Sequence, residues 1–230
     1  MVMENYKTTK LTREEIESAL LEAKKKKFEQ SGHDIVSRNE LCARMFWERV
    51  KTINPDFVLT PDNEPIIHSL IKYFANDPTI ESQGISLNKG ILLAGPVGCG
   101  KTSIMKAFGL FPSSFNHFAI RDCREIALEF MRSDESDYLS NYKKLGKRGL
   151  GFCFDDLGTE DTVVNYGNRI EVIADILLFR YNRLPHYKTH FTTNLSAHHI
   201  GDIYGERMKS RLREMVNLIA FDPKSKDMRR

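Results

Sequence analysis

Eight consecutive residues carry the clearest chemistry in this sequence. Gly95-Pro96-Val97-Gly98-Cys99-Gly100-Lys101-Thr102, with Ser103 following, fits the phosphate-loop pattern G-x-x-x-x-G-K-[ST] throughout. Glycines let backbone amides turn inward around phosphate oxygens with no Cβ in the way. The helix expected to begin there adds the positive end of its dipole. In such a loop Lys101 contacts the β- and γ-phosphates of ATP and the Thr102 hydroxyl sits on Mg²⁺. Cys99 lies inside the loop, either as a small tolerated side chain or as a redox-sensitive thiol at a helix N-terminus.

Further along, the apolar run Gly151-Phe152-Cys153-Phe154 ends in Asp155-Asp156. Asp155 is then placed to hold the metal, directly or through its water, and Asp156 to orient and polarise the attacking water. Thr192-Thr193-Asn194 closes another apolar run. An asparagine at the carboxyl end of a parallel strand can bond the γ-phosphate or the lytic water, or simply cap a turn. Arg207 and Arg211 are four apart and share one helix face. Such a pair is either a solvated stripe or is aimed at a neighbour's phosphate.

These residues need elements to position them. From about residue 85 onward, short apolar runs at 91–94, 115–120, 152–154, 190–193 and 218–221 alternate with helix-like stretches at 102–108, 124–132, 169–183 and 206–215. That alternation predicts a parallel sheet covered on both faces. Before residue 85 the pattern is helical. Thr12-Arg13-Glu14-Glu15 is a capping box opening a helix through Ile16, Leu20, Leu21 and Phe28. Ser37 or Asn39 is expected to cap a second helix carrying Leu41, Met45, Phe46 and Val50, with Trp47 in packing. A third helix covers Ile66 to Phe74 and stops by Asp77-Pro78.

Taken in order, GPVGCGKT, FCFDDLGTE, FTTNLS and YGERMKSRLREM resemble the AAA+ ATPases of the IstB/DnaC-like family. That family includes bacterial replicative helicase loaders and ATPase subunits of some insertion sequences. The resemblance covers about residues 85 to 222. It implies an α/β P-loop NTPase: a three-layer sandwich around a central parallel five-stranded sheet. Residues 1–84 are then a helical N-terminal region that binds a partner, and residues 85–230 the ATPase core. The resemblance makes Lys101 and Thr102 Walker A, Asp155 and Asp156 Walker B, and Asn194 sensor 1. Arg211 becomes the arginine finger, with Arg207 its near alternative. It also implies ATP and Mg²⁺ as ligands, and hydrolysis that is slow without assembly or partner. The expected assembly is head-to-tail, on DNA, a replicative helicase or a transposase, in the cytoplasm. Two departures stand out. Asp156 stands where many relatives carry the longer Glu, and too few residues follow the last strand for a full C-terminal lid or a standard sensor 2 arginine.

Other function classes fit less well. A P-loop small-molecule kinase would leave the Asn194 and Arg211 motifs unexplained, whereas a nucleotide-gated adaptor with little hydrolysis keeps both. No apolar stretch is long enough to span a membrane, and no apolar h-region opens the chain. Four separated cysteines and the adjacent His198-His199 show no metal-ligand spacing, and the thiols read as reduced and buried. With 34 Lys+Arg against 31 Asp+Glu the net charge is only +3, which excludes a uniformly basic nucleic-acid coat. The excess is local: residues 205–230 hold eight basic against four acidic side chains. Single- or double-stranded DNA therefore remains a candidate ligand. A contact is expected at Tyr142-Lys143-Lys144-Leu145-Gly146-Lys147-Arg148-Gly149, where basic and aromatic residues interleave, although a solvated loop is the plainer reading. The Lys24–Lys27 run reads as a solvated face.

Overall fold

A computed structural model describes residues 34–112, 115–132, 141–145, 150–160, 163–165, 168–170 and 172–228. The helix expected from Thr12 to Phe28 and the basic residues Lys147 and Arg148 lie outside the described residues.

Five short strands form the centre: β1 (Gly90–Ala94), β2 (Phe118–Asp122), β3 (Gly151–Asp155), β6 (Thr189–Thr193) and β7 (Val216–Ala220). Their order is β2-β3-β6-β1-β7, every neighbour parallel. Between β3 and β6 lie a two-stranded antiparallel hairpin, β4 (Val163–Asn165) with β5 (Asn168–Ile170), and a helix, α5. The helices are α1 (34–53), α2 (Glu64–Phe74), α3 (Lys101–Gly109), α4 (Cys123–Arg132), α5 (Val172–Arg183) and α6 (Ala197–Met215). A 3-10 turn, Pro78–Gln83, leads towards β1.

The near-continuous apolar strands follow from burial on both faces. In β1, Ile91 and Leu93 face one core with α1, α2 and α3, built on Phe46, Phe74 and Phe108. Leu92, between them, faces a second core with α4, α5 and α6, built on Phe154, Leu177, Phe191 and Leu212. This is the three-layer α/β architecture expected. Phe108 stacks between Phe46 and Phe74, at 4.8 and 4.6 Å between ring centroids. The described helical segment before β1 therefore shares a core with the sheet.

Some local expectations are corrected. Neither Ser37 nor Asn39 caps a helix; both lie inside α1. Asn39 instead donates to Asp77 Oδ2 at 2.7 Å, tying α1 to the turn that caps the 3-10 segment through Thr79 N. The stretch read as a helix from Arg169 begins as strand β5, and the helix starts only at Val172. The β-branched pair Val163-Val164 before Asn-Tyr-Gly-Asn was the hairpin cue. The last helix reaches back to Ala197, where Ser196 caps it by accepting from His199 N. It is broken at Gly205 (φ 80°, ψ 157°), so the expected start at Glu206 marks only its second half.

Among the described residues two basic side chains, Arg180 and His190, are wholly buried. Arg180 donates from Nε to Thr189 Oγ1 and from its terminal nitrogens to the carbonyls of Tyr142 and Lys188. Its guanidinium also lies over Phe152 and Phe154. His190 accepts from Ile91 N–H at Nδ1, 3.1 Å away, and packs against Tyr73, Phe74 and Phe118. Burial, reinforced by the charges of Arg180 and Lys188, pushes its pKa down to about 3. An unfolded histidine titrates near ~6.5, so below that pH the unfolded chain binds a proton that the folded one refuses. The contribution of neutral His190 is complete above about pH 6.5 and is lost as pH falls towards 3, by up to about 1.4 kcal/mol per pH unit. Denaturant midpoints measured from pH 7 to pH 4.5 should therefore fall more steeply in the wild type than in His190→Gln. Parallel curves would place that titration elsewhere.

Candidate functional site

β1 delivers the chain into the phosphate loop, and β3 and β6 end beside it. Gly95 N donates to Thr193 O at 3.1 Å, fixing the loop's entrance to the end of β6. Gly98 and Gly100 have φ of 82° and 96°, which is open to glycine and strained for other residues. α3 starts directly at Lys101, with Gly100 at its N-cap. The loop thus has the shape its residues predict, a glycine turn opening onto a helix N-terminus.

Lys101 is buried, and its Nζ donates to the carbonyls of Gly95 and Pro96 at 2.9 Å each. Cys99 is buried beside it, and burial pushes its thiol up despite the nearby ammonium. That environment suits a small packing side chain and not a reactive thiolate.

Behind the loop, Asp155 Oδ1 accepts from Thr102 Oγ1 at 3.1 Å and from Thr192 Oγ1 at 2.5 Å. Burial raises the Asp155 carboxyl, the Thr192 bond lowers it, and the neighbouring Asp156 charge raises it again. The Thr192 hydroxyl also accepts from Asp156 N at 2.9 Å. Thr192 thus holds both carboxylate residues at the end of β3, a role not apparent in the sequence, where only the strand end at Asn194 stood out. Asp156 has φ 54°, in the left-handed region that Asp and Asn tolerate better than Glu. The backbone here accounts for the shorter acid at this position. The next turn is tied by Glu160, which accepts from Gly158 N and from the Tyr204 hydroxyl of α6.

Thr102, Ser103, Lys101, Asp156 and Asn194 all line one cavity of about 710 Å³. Asp155 stands just behind Thr102. The oxygen donors of Thr102 and Asp155 suit a hard cation such as Mg²⁺. Among the described residues no group of three or more acidic, His or Cys side chains forms a metal cage. An ion held by Thr102 and Asp155 would need waters and substrate phosphates to complete its shell. His198 pairs instead with Asp202, one turn along α6.

The arginines lie elsewhere. Arg207 is exposed, and the Arg211 guanidinium lies 5.2 Å from the Tyr181 ring centroid; neither lines this cavity. The basic-aromatic loop is corrected where it is described. Tyr142 is buried against Phe152 and Phe154, so its ring is closed to base stacking, and Lys143 is paired with Asp175 at 2.5 Å.

Residues with no sequence signal complete the cavity wall: Asn54, Asp56 and Thr60 from the α1–α2 connection, and Lys226, Asp227 and Met228 from the segment after β7. Met228 N donates to Gly98 O at 3.0 Å. The Asp227 carboxylate lies so close to Gly98 that a Cβ there would meet its Oδ1 at 2.0 Å.

No family model matches the chain, and no curated protein does. Solved structures do. The DnaC helicase loader superposes with a TM-score of 0.53 at 18% identity, over 77% of this chain and 98% of its own. DnaI superposes with a TM-score of 0.54 at 20% identity, over 74% and 90%. The chain therefore shares the fold of these two structures, a parallel five-stranded α/β sheet between helical layers with a phosphate loop at its strand ends. No helix among the described residues is long and apolar enough to cross a membrane.

A carboxylate at the mouth of a phosphate loop opposes an incoming polyanion. Asp227→Asn should raise affinity for inorganic triphosphate roughly threefold at low ionic strength, with the gain shrinking in high salt. Calorimetric titration at two salt concentrations measures this, and unchanged affinity would mean that Asp227 swings clear at no cost.

Proposed function

We propose that this chain is an ATP-binding and ATP-hydrolysing AAA+ protein that assembles head-to-tail on nucleotide and acts on DNA or on a DNA-acting partner. One observation carries the reading: Lys101, Thr102, Asp156 and Asn194, from three separate stretches of sequence, surround one cavity with Asp155 directly behind. The known role of the DnaC structure as a helicase loader supports a replicative helicase as the partner class, with a transposase as the alternative.

In this mechanism the loop amides and Lys101 hold the β- and γ-phosphates. Thr102 and Asp155 would hold Mg²⁺, which would supply charge neutralisation for the phosphate oxygens. Asp156 takes a proton from the attacking water, Asn194 bonds the γ-phosphate or that water, and ADP and phosphate are released. Arg211 lies outside its own chain's cavity, which is compatible with the role its motif suggests, a charge supplied to the neighbouring protomer's site, with Arg207 as the alternative. A heterologous contact of this kind builds rings or open spirals. The division at residues 84/85 is proposed as one of role: residues 1–84 for partner binding and 85–230 for nucleotide chemistry. Residues 34–84 fold as part of the same core.

ATP turnover per protomer should rise with protein concentration. Lys101→Ala should lose ATP binding, whereas Arg211→Ala should bind ATP normally and lose the concentration-dependent turnover. An equimolar mixture of the two variants should recover activity, because a Lys101→Ala protomer still offers its arginine to a neighbour with an intact loop. A mixture as inactive as its components would remove Arg211 from the neighbouring site. ATP-dependent assembly without turnover in the wild type would leave a nucleotide-gated adaptor.

A further inference from the structure

Asp156 lines the phosphate-side cavity, yet its backbone sits in the left-handed region. A residue other than glycine keeps that conformation only where its surroundings fix it from several directions. The bonds around Asp156 do so on its near side. Its amide donates to Thr192 Oγ1, and its carbonyl accepts from Thr159 N at 3.1 Å and from Thr159 Oγ1 at 2.7 Å. Leu157 N then donates to Thr192 O, and Leu157 O accepts from Thr193 Oγ1, each at 2.8 Å. These contacts tie the start of the turn to β6. The far end, from Gly158 onward, needs a fastening of its own.

Glu160 supplies it. Its Oε2 accepts from Gly158 N at 2.9 Å, which closes the turn on itself, and its Oε1 accepts from the Tyr204 hydroxyl. Burial raises the Glu160 carboxyl, while the Tyr204 bond and the amides of residues 158–160 lower it. Tyr204 ends the first half of α6, immediately before the break at Gly205. The apolar neighbours of the turn come from the same region of the chain. A Cβ at Gly158 would stand 2.1 Å from Leu195 Cδ1 and 3.6 Å from Ile203 Cδ1. Neither Glu160 nor Tyr204 lines the phosphate-side cavity. Both therefore reach that cavity only through the turn they close.

We propose that Glu160 and Tyr204 act together as positioning residues for Asp156. The pair fixes the turn that Asp156 begins and so sets where its carboxylate stands in the cavity. The inference rests on the reading of this cavity as a site of ATP hydrolysis. A group that must take a proton from water loses rate steeply when it is misplaced, by as much as roughly a hundredfold for about 1 Å. Binding of the phosphates to the loop amides and Lys101 does not depend on that placement. Loss of the pair therefore lowers turnover and leaves affinity alone.

The test measures steady-state ATP turnover, ATP affinity by calorimetric titration and the thermal midpoint, all with Mg²⁺ and at one high protein concentration. Tyr204→Phe removes only the hydroxyl and should lower kcat about fivefold, with KM and ATP affinity unchanged. Glu160→Ala should lower kcat roughly twentyfold, again at wild-type affinity. Glu160→Gln should keep most of the wild-type rate, because its amide oxygen accepts from Gly158 N and its amide nitrogen donates to the Tyr204 oxygen. Adding Tyr204→Phe to Glu160→Ala should cost nothing further, as expected of two residues that act as a unit. Unchanged kcat in Tyr204→Phe or in Glu160→Ala overturns the pair and leaves the hydrolytic reading standing. A fall in ATP affinity and thermal midpoint that matches the fall in kcat overturns positioning in favour of a purely structural role. Wild-type protein that binds or hydrolyses no ATP overturns the reading of the cavity, and the pair with it.

Discussion

One hydroxyl organises the phosphate-loop end of this sheet. Thr192 Oγ1 donates to the Asp155 carboxylate and accepts from the Asp156 amide, so a side chain of β6 sets the relation between two consecutive acids where β3 ends. Asp155 is buried, and an acceptor of that kind left without donors costs about 1–3 kcal/mol or more. The Thr102 and Thr192 hydroxyls supply those donors from either side. The register that pairs Phe152 with Thr189 and Phe154 with Phe191 therefore has a chemical consequence as well as a topological one. A slip of one residue would turn the hydroxyl to the other face of the sheet.

The same strand carries a second polar burden. His190 takes the amide of Ile91 through its ring, and Arg180 closes on Thr189 and on the carbonyls of Tyr142 and Lys188. β6 is thus a central strand with polar side chains at Thr189, His190, Thr192 and Thr193, all buried. Each makes at least one hydrogen bond, as placing such groups in a core requires, although His190 Nε2 has no partner among the described residues. The aromatic rings around them, Phe74 and Phe118 on one face and Phe152 and Phe154 on the other, exclude water from the bonds. Polar groups in this setting favour one register of the sheet over its alternatives.

Much of the fold could be read in advance because its signals are local. The glycines of the loop, the apolar run into Asp155-Asp156 and the strand-helix alternation each occupy a few adjacent residues. What escaped was assembled from distant ones. Nothing near Thr192 in the sequence shows that its hydroxyl faces Asp155, and Glu160 meets Tyr204 only because α6 folds back over the turn. Tyr142 stands among basic residues and so resembles a nucleic-acid contact, yet Arg180, far along the chain, binds its carbonyl, and its ring packs in the core. The basic excess at the end of the sequence divides in space. Arg211 lies on Tyr181, whose hydroxyl meets Glu214, while Lys226 stands at the cavity.

The break at Gly205 gives α6 a mechanical character. Its φ and ψ fall in a region that is essentially closed to every residue but glycine, so the bend requires glycine at this position. On one side of the joint, Tyr204 is clamped to Glu160 and hence to the turn that begins at Asp156. On the other, Arg211 rests on Tyr181 of α5. The helix is a jointed rod with each arm fastened to a different part of the body. A side chain at position 205 would be strained at that φ whatever the space around it, so the angle between the two arms depends on the glycine.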